Sequence, residues 1–230
     1  MSHIHFVGGE KGGVGKSVVA RLLAQRFVDR SVPFAAVDGD QSSGALLRYY
    51  GEYTQPVDFT AVESADQIMD RALGSDRRVL VDLPAQSVRS LWKWLAGASV
   101  FEFTREMGIP LTFWHVTDGG FASTSELEKA LKLFGSEVSH VVVKNHGRSK
   151  DFSQFEQSEA KRVLDALSGK VLELPELEAS TMFAIDRLGS SFWAAIHRND
   201  ELALKPLDRQ RVRLWLARCY AGLDAFDGAL

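Results

Sequence analysis

The chain has 230 residues, with 27 Lys and Arg against 30 Asp and Glu, a formal net charge of −3 and a hydrophobic fraction of 45%; this is ordinary globular composition, long enough for a full core in a single domain over 1–230. One cysteine, Cys219, excludes an intramolecular disulfide, a cysteine-clamped iron–sulfur cluster and a Cys-based zinc site within one chain, and makes a reducing cytoplasm the expected compartment. No apolar run reaches the ~18 residues of a membrane span, and the first residues lack the basic and apolar regions of a signal peptide.

Apolar runs alternate with helical periods, as in βαβ units around a mostly parallel twisted sheet flanked by helices. Residues 4–7 read as a first strand. A helix over 16–30 follows, with Val18, Val19, Leu22, Leu23 and Phe27 on its apolar face. Next come a strand over 33–37, a helix over 65–73, a strand over 79–83 and a helix over 88–95. A strand over 111–116, a helix over 123–134, a strand over 138–143 and a helix over 155–167 continue the alternation. A short strand over 171–174 and a last helix over 208–223 complete it. Phe101, Phe103, Phe113 and Phe121 fit core positions.

Glu10-Lys11-Gly12-Gly13-Val14-Gly15-Lys16-Ser17 lies between the first strand and the first helix. That is the context of a phosphate-binding loop. Glycines let the backbone curl with its N–H groups inward, and the helix N-terminus adds partial positive charge. Lys16 is placed to reach β- and γ-phosphates, and the Ser17 hydroxyl to ligate Mg²⁺. Residues 10–17, together with Val18, are the expected nucleotide-binding stretch. Glu10 stands where the first Gly of the usual G-x-x-x-x-G-K-[ST] pattern belongs.

With Lys11 near its start, the loop resembles that of the MinD/ParA family of deviant Walker A P-loop ATPases. The resemblance extends along the chain. Asp38-Gly39-Asp40 resembles the family's Asp-x-Asp at the end of strand two, although Gln41 follows where a Pro is common. Leu80-Val81-Asp82-Leu83-Pro84 resembles Walker B. Val141-Val142-Val143-Lys144-Asn145 resembles the strand that ends in an adenine-reading Asn, and Leu174-Pro175-Glu176-Leu177 the loop over the base. The resemblance implies that Lys11 crosses a dimer interface to the partner's nucleotide and that Asp40 positions the attacking water. It implies further that Ser17, Asp40 and Asp82 serve Mg²⁺ (Asp82 through a bound water), and that Asn145 and Pro175 frame the base. Asp118 falls where the family often has a strand-end Asp near the interface.

ATP and Mg²⁺ are thus the expected cofactors, with Lys11, Lys16 and Asp40 the catalytic group. The expected activity is slow ATP hydrolysis, stimulated by a partner protein, in an ATP-dependent homodimer. Such a dimer positions or partitions a plasmid, a chromosome or a protein cargo, and the loop wording also resembles small plasmid-encoded relatives linked to stability, mobilisation or conjugation. No helix-turn-helix domain is expected ahead of the loop. For a working surface, Lys144, Arg148, Lys150, Lys161 and Arg162 suggest a basic edge suited to non-specific DNA, which would associate the protein with the nucleoid. A membrane is not expected. The basic and apolar stretch 209–218 reads as a core-packed last helix, and the ending Asp224-Ala225-Phe226-Asp227 suits anionic lipid poorly. The alternative is a P-loop metabolic enzyme of the ATP-dependent synthetase or ligase type. A redox or metal-transfer role is disfavoured by the single Cys, and a non-hydrolysing regulator by the presence of both Asp40 and Asp82.

Overall fold

The computed structural model describes residues 1–40, 44–59 and 61–226. Gln41 and Asp227 lie outside the described residues. The strands are β1 (His3–Gly8), β2 (Phe34–Asp38), β3 (Thr54–Pro56), β4 (Arg78–Asp82), β5 (Leu111–Thr117), β6 (Ser139–Asn145) and β7 (Lys170–Leu174). Among the described residues they form one all-parallel sheet in the order β3-β2-β4-β1-β5-β6-β7. The expected parallel α/β architecture is present. β3 was not expected, because three residues are too few to display a period.

The helices are α1 (Lys16–Asp29), α2 (Ala45–Tyr49), α3 (Val62–Leu73), α4 (Val88–Gly97), α5 (Val100–Glu106), α6 (Phe121–Phe134), α7 (Ser153–Glu156), α8 (Glu159–Ala166), α9 (Ala179–Arg187), α10 (Phe192–His197) and α11 (Pro206–Asp224). One layer buries Val19 and Leu23 of α1, Leu46, Ile185, Phe192 and Trp215 with Val7, Ala36 and Leu80 of the sheet. The other buries Ile68, Leu91, Leu95, Phe101 and Phe134 with Ile4, Phe6 and Phe113. In β1, Phe6 and Val7 therefore serve opposite layers. A parallel strand covered on both faces reads as a continuous apolar run, which is why the central strands stand out in the sequence.

Three expectations need correction. The single helix over 155–167 is two helices, α7 and α8, because the Ser158 hydroxyl accepts the Lys161 N–H at 3.3 Å and starts a new N-terminus. Phe103 is 39% exposed, whereas Val100, Phe101 and Thr104 of the same helix are buried. Phe121 is 76% exposed as the first residue of α6. By contrast α11 is a core helix, as expected. It begins at Pro206, whose missing N–H costs nothing there, and it buries Val212, Trp215, Leu216, Cys219 and Leu223. Among the described residues no helix is long and apolar enough to cross a membrane.

The sheet also buries four histidines. His3 Nε2 meets Thr112 Oγ1 at 2.8 Å and its ring stacks on His5, and His115 Nε2 meets His140 Nδ1 at 2.9 Å. Burial holds all four below the usual imidazole range, His3 down to about 4. The folded state thus refuses protons that the unfolded chain accepts between pH 6.5 and 4, so stability falls as pH drops through that window. For His3 alone the loss is roughly 3 kcal/mol. The two buried carboxylates described below titrate in the opposite sense and offset part of this loss. Urea midpoints should be markedly lower at pH 4.5 than at pH 7; equal midpoints would contradict this.

Candidate functional site

β1 lies between β4 and β5. The chain leaves it through α1 toward β2 on one side and later enters β5 on the other, so the sheet changes direction over the C-terminal end of β1. Ligand crevices form at such switch points, and the glycine loop 9–15 sits there. Gly13 (φ 78°) and Gly15 (φ 102°) hold left-handed backbone that a side chain resists. At Gly15 a Cβ would also stand 2.2 Å from Asn145 Nδ2.

Asn145 ends β6 and braces the loop. Its Nδ2 donates to the Val14 carbonyl at 2.8 Å, and its Oδ1 accepts the Gly147 N–H at 3.0 Å. One N–H and one lone pair remain for a ligand. Glu10 is engaged elsewhere: its Oε1 accepts the Val88 N–H at 2.9 Å, in the first turn of α4, where a carboxylate is favoured by the helix dipole. It ties the loop to the segment after β4.

Lys16 opens α1 and is 8% exposed. Its Nζ lies 3.5 Å from the Lys11 carbonyl oxygen, and it closes no ion pair among the described residues. Burial lowers its pKa, against the pull of Asp82, Asp40 and Glu10. Asp38 and Asp82 are paired in register on β2 and β4. Asp38 is a structural group. Its Oδ1 accepts the Asp40 N–H at 3.0 Å, and its Oδ2 accepts the N–H groups of Leu46 and Leu47 at 2.8 and 3.1 Å. It fixes the start of α2, and burial raises its pKa despite those three donors.

Asp82 is fully buried, and among the described residues neither of its oxygens has a hydrogen-bond partner. Burial, then the Asp38 charge, push its pKa up to about 8, while the Ser17 hydroxyl and Lys16 draw it down. A buried carboxylate without a partner is costly. Oxygen donors beside a hydroxyl and a second carboxylate are the chemistry a hard divalent cation requires, so Ser17, Asp40 and Asp82 fit Mg²⁺. Asp40 stands with Gly12, Gly13, Lys16 and Pro84 around an open cleft of about 760 Å³.

On the other side of the loop, Val18, Asn145, Pro175, Leu177, Met182 and Phe183 line a second pocket of about 260 Å³. The structure thus brings Val18, Asn145 and Pro175 together, although 157 positions separate the first from the last. Pro175 is held by α11, whose Trp215 Nε1 donates to its carbonyl oxygen at 2.7 Å. That brace, and the walls from α9, left no signal in the sequence because Trp215, Met182 and Phe183 look like any apolar helix content. Lys11 is folded back within its own chain: its Nζ donates to Asp118 Oδ2 at 2.5 Å. Asp118 also accepts Ser123 Oγ at 2.5 Å and the Gly120 N–H at 3.2 Å. Although burial opposes it, these donors hold the Asp118 carboxyl below the usual range. Gly15→Ala should weaken binding of a fluorescent adenine nucleotide by at least ~30-fold while leaving the circular dichroism unchanged, because the new methyl strains the loop and displaces Asn145. Wild-type affinity in that variant would contradict the arrangement.

No protein-family model matches the chain. It is 25% identical over 197 residues to protein TraL of Escherichia coli, covering 79% of this chain and 80% of that protein. It superposes on MinD in the MinC:MinD cell division complex of Aquifex aeolicus with a TM-score of 0.57 at 13% identity, over 95% of this chain and 96% of the other. It superposes on the septum site-determining protein MinD of Pyrococcus horikoshii, complexed with Mg-ADP, with a TM-score of 0.56 at 15% identity, over 97% and 98%. The fold is that of the MinD structures, and the two-lysine glycine loop lies at its switch point.

Proposed function

We propose that this protein is a Mg²⁺-dependent ATPase in which bound ATP joins two copies and slow, partner-stimulated hydrolysis separates them, so that the dimer positions or partitions a plasmid, a chromosome or a protein cargo. The observation that carries the reading is a buried lysine and an unpartnered buried carboxylate beneath one glycine loop. Lys16 supplies positive charge where β- and γ-phosphates rest, and the loop N–H groups and the α1 N-terminus complete the cradle. Val18, Asn145 and Pro175 hold the base, and Asp40 orients the attacking water. Ser17 and Asp82 hold the cation, which when bound neutralises charge on the phosphate oxygens. This set needs no separate base, because phosphoryl transfer depends mainly on positioning and charge.

Lys11 acts at the boundary between copies. In one chain it is paired with Asp118, and in a dimer it exchanges that carboxylate for the partner's phosphates, a richer set of anionic acceptors. The similarity to a MinD solved in complex with MinC supports a protein partner. The expected basic edge supports DNA less well. Lys144 is paired with Glu156 and Glu173, Lys150 with Glu176, Lys161 with Asp165 and Arg162 with Glu159. Carboxylates interleaved in this way offset the charge that phosphates would meet.

The 760 Å³ cleft beside Lys16 and Asp40 keeps one other reading in play, an ATP-dependent synthetase that seats a small substrate there. The two differ in whether turnover needs a second copy. Lys16→Ala should lose at least ~100-fold in ATP affinity. Lys11→Ala should bind ADP within ~3-fold of wild type yet fail to double in mass with ATP, as read by sedimentation. Unchanged dimerisation of Lys11→Ala would refute the role given to Lys11. Full turnover by a strictly monomeric protein would favour the synthetase.

A further inference from the structure

Pro84-Ala85-Gln86-Ser87 forms the turn between β4 and α4, and Gln86 holds left-handed backbone there, with φ 60°. An L side chain resists that region, and Gly or Asn is its ordinary occupant. Contacts on both sides impose it. The Leu83 N–H donates to the Val7 carbonyl at 2.9 Å, the Ser87 hydroxyl to the Pro84 carbonyl at 2.8 Å, and the Val88 N–H to Glu10 Oε1 at 2.9 Å. Such strain persists only where the surroundings over-determine it, and it gathers at functional sites. Gln86 lines the 760 Å³ cleft together with Lys16 and Asp40. It is exposed, and its side-chain amide closes no hydrogen bond among the described residues. The neighbouring polar groups of the wall are mostly committed: Asp58 has a partner, and the Ser87 hydroxyl is used on Pro84. Ser90 of α4 is the other side chain there without a hydrogen bond among the described residues.

We propose that Gln86 is a further catalytic residue, which aligns the attacking water together with Asp40; this rests on the ATPase reading given above. A water that attacks phosphorus is best held with both O–H groups on acceptors, so that a lone pair points along the line of attack. Asp40 is one acceptor and the Gln86 amide oxygen the second. The amide N–H groups are then free to donate to a γ-phosphate oxygen, because an amide accepts and donates together. The water oxygen bonds to the γ-phosphorus as the bond from that phosphorus to the bridging oxygen breaks. The electron pair of the broken bond leaves with ADP, and the water's proton passes to the released phosphate. Gln86 takes no proton; it orders the nucleophile, and the strained turn keeps its amide on the cleft wall.

ATP hydrolysis with Mg²⁺, read beside urea midpoints for wild type, Gln86→Gly and Ser90→Ala, tests the role. Glycine suits the left-handed turn, so Gln86→Gly removes the amide without adding strain. Its kcat should fall at least ~30-fold, with KM for ATP within ~3-fold of wild type and a urea midpoint no lower. It should still double in mass with ATP. Ser90→Ala should keep kcat within ~2-fold. The role is overturned if Gln86→Gly turns over at the wild-type rate, if its kcat and urea midpoint fall together, or if KM rises in step with the loss of kcat. It is equally overturned if the variant no longer doubles in mass, or if Ser90→Ala shows the same loss. Wild-type protein that binds ATP and never hydrolyses it would overturn the ATPase reading itself, and this role with it.

Discussion

The site depends on two ionisable groups buried before any ligand arrives, each held away from its ordinary pKa by the loss of water. Asp82 is completely buried at the end of β4, without a hydrogen bond among the described residues, and Lys16 is nearly as buried beneath the same loop. Folding alone does not favour this arrangement, because desolvating a carboxylate is expensive and only an ion or a well-placed donor offsets it. The rise in the Asp82 pKa measures that cost. In the proposed function a divalent cation and a polyphosphate would give both groups the partners they lack, which would link ligand binding to the electrostatics of the core.

The surrounding contacts hold the geometry that such a ligand needs. Asn145 reaches from β6 to the Val14 carbonyl, Glu10 fastens the loop to α4, and Asp38 fixes α2 so that Asp40 stands at the mouth of the cleft. Trp215 holds Pro175 from the far layer. The loop is thus braced from β6 and α4, the start of α2 from β2, and the second pocket from α11. Prepaid order of this kind is what lets electrostatic groups act in a transition state without reorganising. Lys11 is the exception. It is held by an exposed contact to Asp118, the sort of ion pair that is weak enough to be exchanged.

What could be read from the sequence follows the range of each interaction. The P-loop is local, so residues 10–17 declare themselves by spacing alone, and the central strands do so because they are buried on both faces. Asp82 was legible because it ends such a strand, and Asp40 because it follows one within two residues. The partners that give these residues their present roles were not legible. Lys11 and Asp118 are 107 positions apart, Asn145 and Val14 131. Phe103 and Phe121 show the converse limit, since an aromatic residue by itself does not say which side of a helix it occupies. α9 and α10 were missed because each is short and apolar on more than one side. The wall that α9 gives the second pocket went unseen with it.

The most direct test of the nucleotide-switched dimer is the solution mass of Asp40→Ala by light scattering, first with ATP and Mg²⁺ and then with ADP. Removing the carboxylate proposed to orient water while leaving Lys11, Lys16 and Asp82 intact should trap the ATP state. The account predicts a dimer with ATP and a monomer with ADP. A monomer under both conditions would contradict it.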